Sequence, residues 1–310
     1  MFKPNKPTLQ SSLEKPRFGP AGVPPQLRLE HAHLEDVPEF LQKEGLDAFE
    51  YEAIYWSDKP QISKAEAKKL LTKAKKHDIL LSVHGSYYIN LCGEKTVIER
   101  SKKRLLSCIL AADWMQARIV VFHPGYYGGQ PPQMAREKIS KTINELVETM
   151  RSLGIKHVHL GPETAGKLSQ YGSIDEILDL CEAAEQTSPV IDWAHVHARG
   201  NGSLKTADDF RKIIEKVDEH LGAEVAKKLH CHFTGVEFNA SGERRHHPIG
   251  ETHGPNFKLL ANIIVELGLA PTIISESPLL DVDAMKMRSI FENTLRENRN
   301  RSIAKATKER

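Results

Sequence analysis

No stretch of this 310-residue chain approaches the ~18 consecutive apolar residues of a membrane-spanning helix. The opening residues, MFKPNKPTLQSSLEKPRFG, carry lysines with no apolar core behind them, which argues against a secretory leader. A soluble, cytoplasmic protein without a membrane partner is therefore expected. Cysteine is scarce. Cys92, Cys108, Cys181 and Cys231 are scattered with no C-x-x-C among them, which disfavours a disulfide framework or a cysteine-ligated structural zinc. An excess of one charge is also missing, since 43 Lys and Arg face 41 Asp and Glu. The balance gives no global argument for nucleic acid, so any such binding must come from a local basic face. No linker, low-complexity block or shift in composition divides the chain, which reads as one domain.

Strand-like and helix-like segments alternate along it. Short apolar runs occur at 18–22, 47–54, 79–85, 118–125, 156–163, 188–194, 228–235 and 271–278. Amphipathic stretches separate them, the clearest carrying Ile139, Ile143, Leu146, Val147 and Met150 on one helical face. Others cover roughly 34–45, 64–77, 95–116, 173–186, 206–221, 256–268 and 281–297. Eight such pairs predict an α/β fold with a parallel sheet, a (β/α)8 TIM barrel, with a doubly wound open sheet as the alternative. The barrel is expected over 17–297, with a flexible segment at 1–16 and a basic tail at 298–310.

In a barrel the C-terminal strand ends converge on one mouth, where the chemistry sits. The third strand ends in His84, the fourth in His123, the fifth in Glu163 and the sixth in Asp192, with His195 just beyond. The seventh carries His230 and His232, and the eighth ends in Glu276. His31, His33, His157, His159 and His197 are read as structural. Six consecutive strands thus deliver imidazole or carboxylate to one rim, with no Ser, Cys or Lys nucleophile beside them. That donor set suits Zn²⁺, Mn²⁺ or Fe²⁺. Its size implies two or more ions, and metals about 3.5–4 Å apart can activate water and clamp a phosphoryl group.

The segments SVHGSYYINL (82–91), VVFHPGYYGG (120–129), ETAGK (163–167), DWAHVHARG (192–200), HCHFTG (230–235), RHHPIGE (245–251) and SESP (275–278) resemble, in order, the metal-site motifs of endonuclease IV. That family comprises zinc-dependent apurinic/apyrimidinic (AP) endonucleases built on a TIM barrel. The resemblance implies that His84 and His123 bind a first zinc, with Glu163 bridging to a second held by Asp192, His230 and Glu276. His195 and His246 would hold a third, giving two or three zinc ions, with Mn²⁺ as a substitute. It further implies a monomer that acts on damaged double-stranded DNA in base excision repair. Such an enzyme hydrolyses the phosphodiester 5′ to an abasic site through a metal-activated hydroxide and leaves a 3′-hydroxyl. Glu163 and Asp192 are the catalytic pair of this reading.

The chain departs from the family pattern in several places. The family sets an Asp two residues before the histidine matched by His246, and here that position is Arg244, with Glu243 as a substitute. His232 lies on the same strand face as His230 and is the alternative ligand there. Tyr87, Asn90, Arg199, Arg244 and Arg245 are the candidate DNA contacts. The segment EAIYWSDKPQ (52–61) lacks the basic residues the family inserts at the lesion, with Tyr55, Trp56 and Lys59 as replacements or, equally, an aromatic pair packed under a loop. The competing reading is a metal-dependent sugar or sugar-phosphate isomerase or epimerase on a related barrel, and a non-catalytic barrel is a third.

Overall fold

A computed structural model describes residues 15–250 and 252–308, with side chains through residue 304. Eight strands form the barrel: β1 (Arg17–Pro20), β2 (Ala48–Glu52), β3 (Leu80–His84), β4 (Ile119–Phe122), β5 (His159–Pro162), β6 (Val190–Asp192), β7 (His230–Phe233) and β8 (Thr272–Ser275). They run parallel in two arcs, β2-β3-β4-β5 and β6-β7-β8-β1. Parallel bridges between Ala21 and Glu50, and between Glu163 and Val190, join the arcs into a ring. Closure demands close approach at β1. A Cβ on Gly19 would stand 1.8 Å from the Ala48 carbonyl oxygen, so only glycine fits there.

Helices follow the strands and cover the outside of the ring. The predicted face of Ile139, Ile143, Leu146, Val147 and Met150 is buried in the helix Pro132–Ser152. Ser63 and Ser173 open their helices with capping boxes to Glu66 and Glu176, satisfying the first free backbone donors. The main core lies between strands and helices, where Phe18 meets Phe257 edge-on and Phe257 meets Phe233.

Three features differ from the sequence-based expectation. A short helix, Trp193–Arg199, starts directly after β6. An antiparallel hairpin, Gly235–Asn239 with Gly242–His247, follows β7 in a stretch without assigned structure. The last helix spans Asp281–Lys308, so residues 298–308 continue it. The segment expected to be flexible, 1–16, lies outside the described residues up to position 14.

Candidate metal centre

Three carboxylates stand at the strand ends, Glu163 and Asp192 fully buried and Glu276 half-buried. Glu163 directly follows β5, Asp192 closes β6, and Glu276 directly follows β8. Asp192 has two tasks. One oxygen caps the helix Trp193–Arg199, accepting from the His195 N–H at 2.8 Å, and the other has no hydrogen-bond partner. Because the helix begins at once, His195 is folded back beside the carboxylate that caps it, with its Nδ1 3.6 Å from Asp192. This is why a hydrophobic strand ends in an acid and an imidazole three residues apart.

The histidines are oriented from behind. Nδ1 of His84 contacts the Gly85 carbonyl at 2.9 Å, that of His195 the Thr164 carbonyl at 2.9 Å, and that of His246 the Glu276 carbonyl at 3.2 Å. A carbonyl on one ring nitrogen fixes the tautomer and frees the other nitrogen, the arrangement of ligating histidines. Nε2 of His84 lies 3.4 Å from Glu163, and Nε2 of His123 lies 3.5 Å from the same oxygen. Neighbouring rings follow one another around the mouth, from His232 to His84, His123, His195 and His246, with centroids 5.4–5.9 Å apart.

The donor atoms form overlapping groups: His84, Glu163, His232 and Glu276; Asp192, His195, His246 and Glu276; and His123, Glu163 and His195. Within each, the ligand atoms lie within 4.8 Å of one another. Glu163 Oε2, Asp192 Oδ2 and His246 Nε2 are buried without a hydrogen-bond partner. Burying such atoms unpaired is costly, so their convergence fits a site for divalent cations. The oxygen and imidazole donors, with no thiolate, suit zinc, manganese or iron. Burial raises Asp192 to about 6 against the opposing charge of His195, with Glu276 and Glu163 adding to the rise. Burial also pulls His123 down to about 4, whereas for His84 the neighbouring Glu163 and Glu276 outweigh burial and hold it at about 9.

The placing of Glu243 beside His195 and His246 depends on the hairpin. The ladder pairs Glu237 with Arg245 but Phe238 with Glu243, so Arg244 is the extra residue of a β-bulge. The bulge turns Glu243 to the same face as His246 although three residues separate them. Glu243 then stands 3.3 Å from His195 Nε2 and 3.4 Å from His246 Nε2. Glycines make room for it. A Cβ on Gly166 would meet Glu243 at 2.6 Å, and Gly242, at φ +99°, crosses 2.1 Å (from its own would-be Cβ) from the Gly166 carbonyl.

Three candidate residues, His230, Arg199 and Asn90, have other tasks. His230 is not in the groups around Glu163 and Glu276; His232 is. Two residues along a strand are about 6.6 Å, which sets His230 a layer deeper, 2.9 Å from Glu50. Arg199 is turned inward. Its guanidinium donates to the carbonyls of Ala165, Lys167 and Gln170, so it fastens the loop after Glu163 rather than offering a cation to a ligand. Asn90 likewise uses Oδ1 to accept from the Cys92 and Tyr126 N–H groups. Arg244 and Arg245 are exposed, and Tyr87 lines the mouth. Of the aromatic pair after β2, Trp56 is buried against Tyr51 and Tyr55 is exposed.

The mouth is a cavity of about 320 Å³ bordered by Tyr87, Tyr126, Lys167 and Gln170 above the histidines. Sequence reasoning missed Lys167, in a loop, and Gln170, in a two-residue strand paired with Gly125–Tyr126, both too short for periodicity to mark. It also missed Glu50, a carboxylate inside an apolar strand whose type alone was the available signal.

An eight-stranded barrel with a polyhistidine–carboxylate centre at its C-terminal mouth defines a class of metal-site barrels. The chain belongs to the xylose isomerase-like TIM barrel family, matched over residues 38–290, as a divergent endonuclease IV-like member. It is 34% identical over 276 residues to an uncharacterized protein of Methanocaldococcus jannaschii, covering 88% of this chain and 96% of that one. It is 28% identical over 222 residues to a probable endonuclease 4 of Staphylococcus carnosus, covering 69% and 71%. Among solved structures, endonuclease IV from Thermus thermophilus superposes with a TM-score of 0.66 at 20% identity, covering 91% of this chain and all of that one. A D-tagatose 3-epimerase-like protein gives 0.66 at 18%, covering 91% and 99%. At such identities the structural likeness speaks for the fold.

Proposed function

We propose that this protein is a metal-dependent phosphodiesterase of the AP-endonuclease type, cleaving duplex DNA 5′ to an abasic site and leaving a 3′-hydroxyl. The observation that carries this reading is the approach of Glu243 to His195 at 3.3 Å and to His246 at 3.4 Å, which adds a carboxylate beside the overlapping donor groups that share Glu163 and Glu276. Proton abstraction next to a sugar carbonyl needs one or two ions, whereas this donor set exceeds two. His84, His123 and Glu163 would hold one ion, Glu163, Asp192, His232 and Glu276 a second, and His195, Glu243 and His246 a third. Zinc or manganese there supplies water activation and charge neutralisation at the phosphate oxygens.

The chain's own residues supply the rest. Glu163, shared between donor groups and fully buried, holds neighbouring positions together. Asp192 is fixed through its capping oxygen and offers the other to the centre. Lys167 on the rim provides a cation for the phosphate backbone. The exposed rings of Tyr55 and Tyr87, with centroids 6.2 Å apart, offer stacking surfaces for a base or the exposed sugar.

The size of the cavity supports a second reading, epimerisation of a sugar or sugar phosphate, since about 300–1,000 Å³ is usual for small-molecule sites. One experiment separates the two. A labelled duplex with a single abasic-site analogue is incubated with the protein and Zn²⁺ or Mn²⁺, beside a Glu163→Gln control, while a ketohexose and its phosphate are followed for epimerisation. Incision 5′ to the lesion, lost by at least a hundredfold in the control, is expected. An intact duplex together with turnover of the sugar would overturn the nuclease reading.

A further inference from the structure

Beneath the mouth lies a second polar layer that the reaction does not use directly. Glu50, at the centre of β2, is fully buried. Its Oε2 accepts a hydrogen bond from the Ser82 hydroxyl at 2.7 Å and contacts His230 Nε2 at 2.9 Å. Its Oε1 lies 2.8 Å from His232 Nε2, and neither of these two buried atoms has a hydrogen-bond partner, so each has the other as its nearest opposite charge. The opposite edge of the His232 ring faces upward, with Nδ1 3.1 Å from both Glu163 and Glu276. His232 therefore stands between a carboxylate below and the donor cluster above, each addressing a different nitrogen. Strand register fixes this stack: His232 pairs with Asp192 on one side and Ile274 on the other, while His230 pairs with Val190 and Thr272 one layer down.

We propose that Glu50 is the positioning carboxylate of the metal centre, holding His232 so that Nδ1 is the ligating nitrogen, with Ser82 and His230 holding Glu50 in turn. This rests on the reading that the cluster around Glu163 binds metal. A carboxylate on the far nitrogen of a ligating imidazole fixes its tautomer and strengthens it as a donor. Ser82 and His230 meet Glu50 Oε2 at hydrogen-bond lengths and so fix the carboxylate, leaving Oε1 to face His232 Nε2. Glu50 does not line the mouth and acts on substrate only through His232.

The test is metal binding by the full-length protein, read without the reaction. Zn²⁺ stoichiometry is measured by elemental analysis, Co²⁺ affinity and visible absorption by titration, and fold by circular dichroism. Glu50→Gln is expected to fold, to lose about 10–100-fold in affinity, and to shift the cobalt bands, because the ligating imidazole has lost its partner. Ser82→Ala, which removes one bond to Glu50 from a small side chain, should move both readouts the same way by a smaller factor, and it serves if Glu50→Gln does not fold. Unchanged affinity and bands in the folded variants would overturn the proposal while leaving the metal centre standing. A wild type that binds no ion, like Glu163→Gln beside it, would overturn the centre and its support together. If His230→Gln instead lost one full equivalent of metal with the cobalt bands of the remainder unchanged, the lower layer would be an ion site and not a support.

Discussion

Arg199 and Arg244 show how little an arginine's sequence position says about its task. Both fall in motifs at the rim, yet Arg199 is spent on three backbone carbonyls and Arg244 projects to solvent as the bulged residue. Glu243, beside Arg244, faces His195 and His246 and is the donor of the proposed centre. Glu243→Ala should therefore lower the zinc content by one equivalent, and Arg244→Ala should leave it unchanged, both read by elemental analysis. The cysteines make a complementary case. Burial pushes Cys92, Cys108, Cys181 and Cys231 each up to about 12, and all four are buried and unpaired. Because a raised pKa keeps the thiol protonated until the pH nears it, thiolate is almost absent at pH 8. A colorimetric disulfide reagent at that pH should label none of them in the native protein and all four after denaturation. Rapid native labelling would contradict the burial.

At the scale of elements, the hairpin Gly235–Asn239/Gly242–His247 decides whether Glu243 meets His195 and His246. In a regular strand, residues two apart share a face and residues three apart do not. Glu243 and His246 are three apart, so without the bulge one would turn away from the helix Trp193–Arg199 and from His195. Deleting Arg244 would bring the two acid and imidazole positions to a spacing of two and remove the need for a bulge, with Phe238, Glu237 and Val236 keeping their partners. The deletion variant is expected to keep its full metal content. Inserting one alanine after Arg244 should lose the equivalent that Glu243 helps to hold. Loss of metal in the deletion variant would show that the bulge itself, and not the face it restores, is required.

On the scale of the whole molecule, the barrel gathers Glu163, Asp192 and Glu276 from three strand ends into one buried region, with Glu50 beneath. Like charges so placed are tolerated when cations or donors balance them. Bound metal should accordingly stabilise the fold as well as serve the reaction, by about 2.7 kcal/mol when free metal is a hundred times its dissociation constant. Thermal unfolding with and without a chelator measures this, and the Tm is expected to fall on chelation. Because imidazole and carboxylate ligands must shed protons to bind metal, the increment should shrink as the pH is lowered from 8 towards 5. An unchanged Tm under a chelator would count against a metal centre.

The sequence by itself determined the alternation of eight strands and helices, because each amphipathic or apolar run must bury its own face whatever lies elsewhere. It also determined that polar chemistry collects at strand ends, since His84, His123, Glu163, Asp192 and Glu276 break apolar runs at their C-terminal limits. Relative depth was beyond it. His230 and His232 share a face, and only ring closure, with β7 set against β6 and β8, fixed which of them reaches the mouth. Partnership was beyond it too. Glu50 and His232 are 182 positions apart, and Arg199 meets its carbonyls about thirty positions away. The Glu243 bulge depends on a hairpin whose polar strands carry no strong local signal. Local periodicity is written into neighbouring residues, whereas depth, register and partner are set by distant segments meeting in three dimensions.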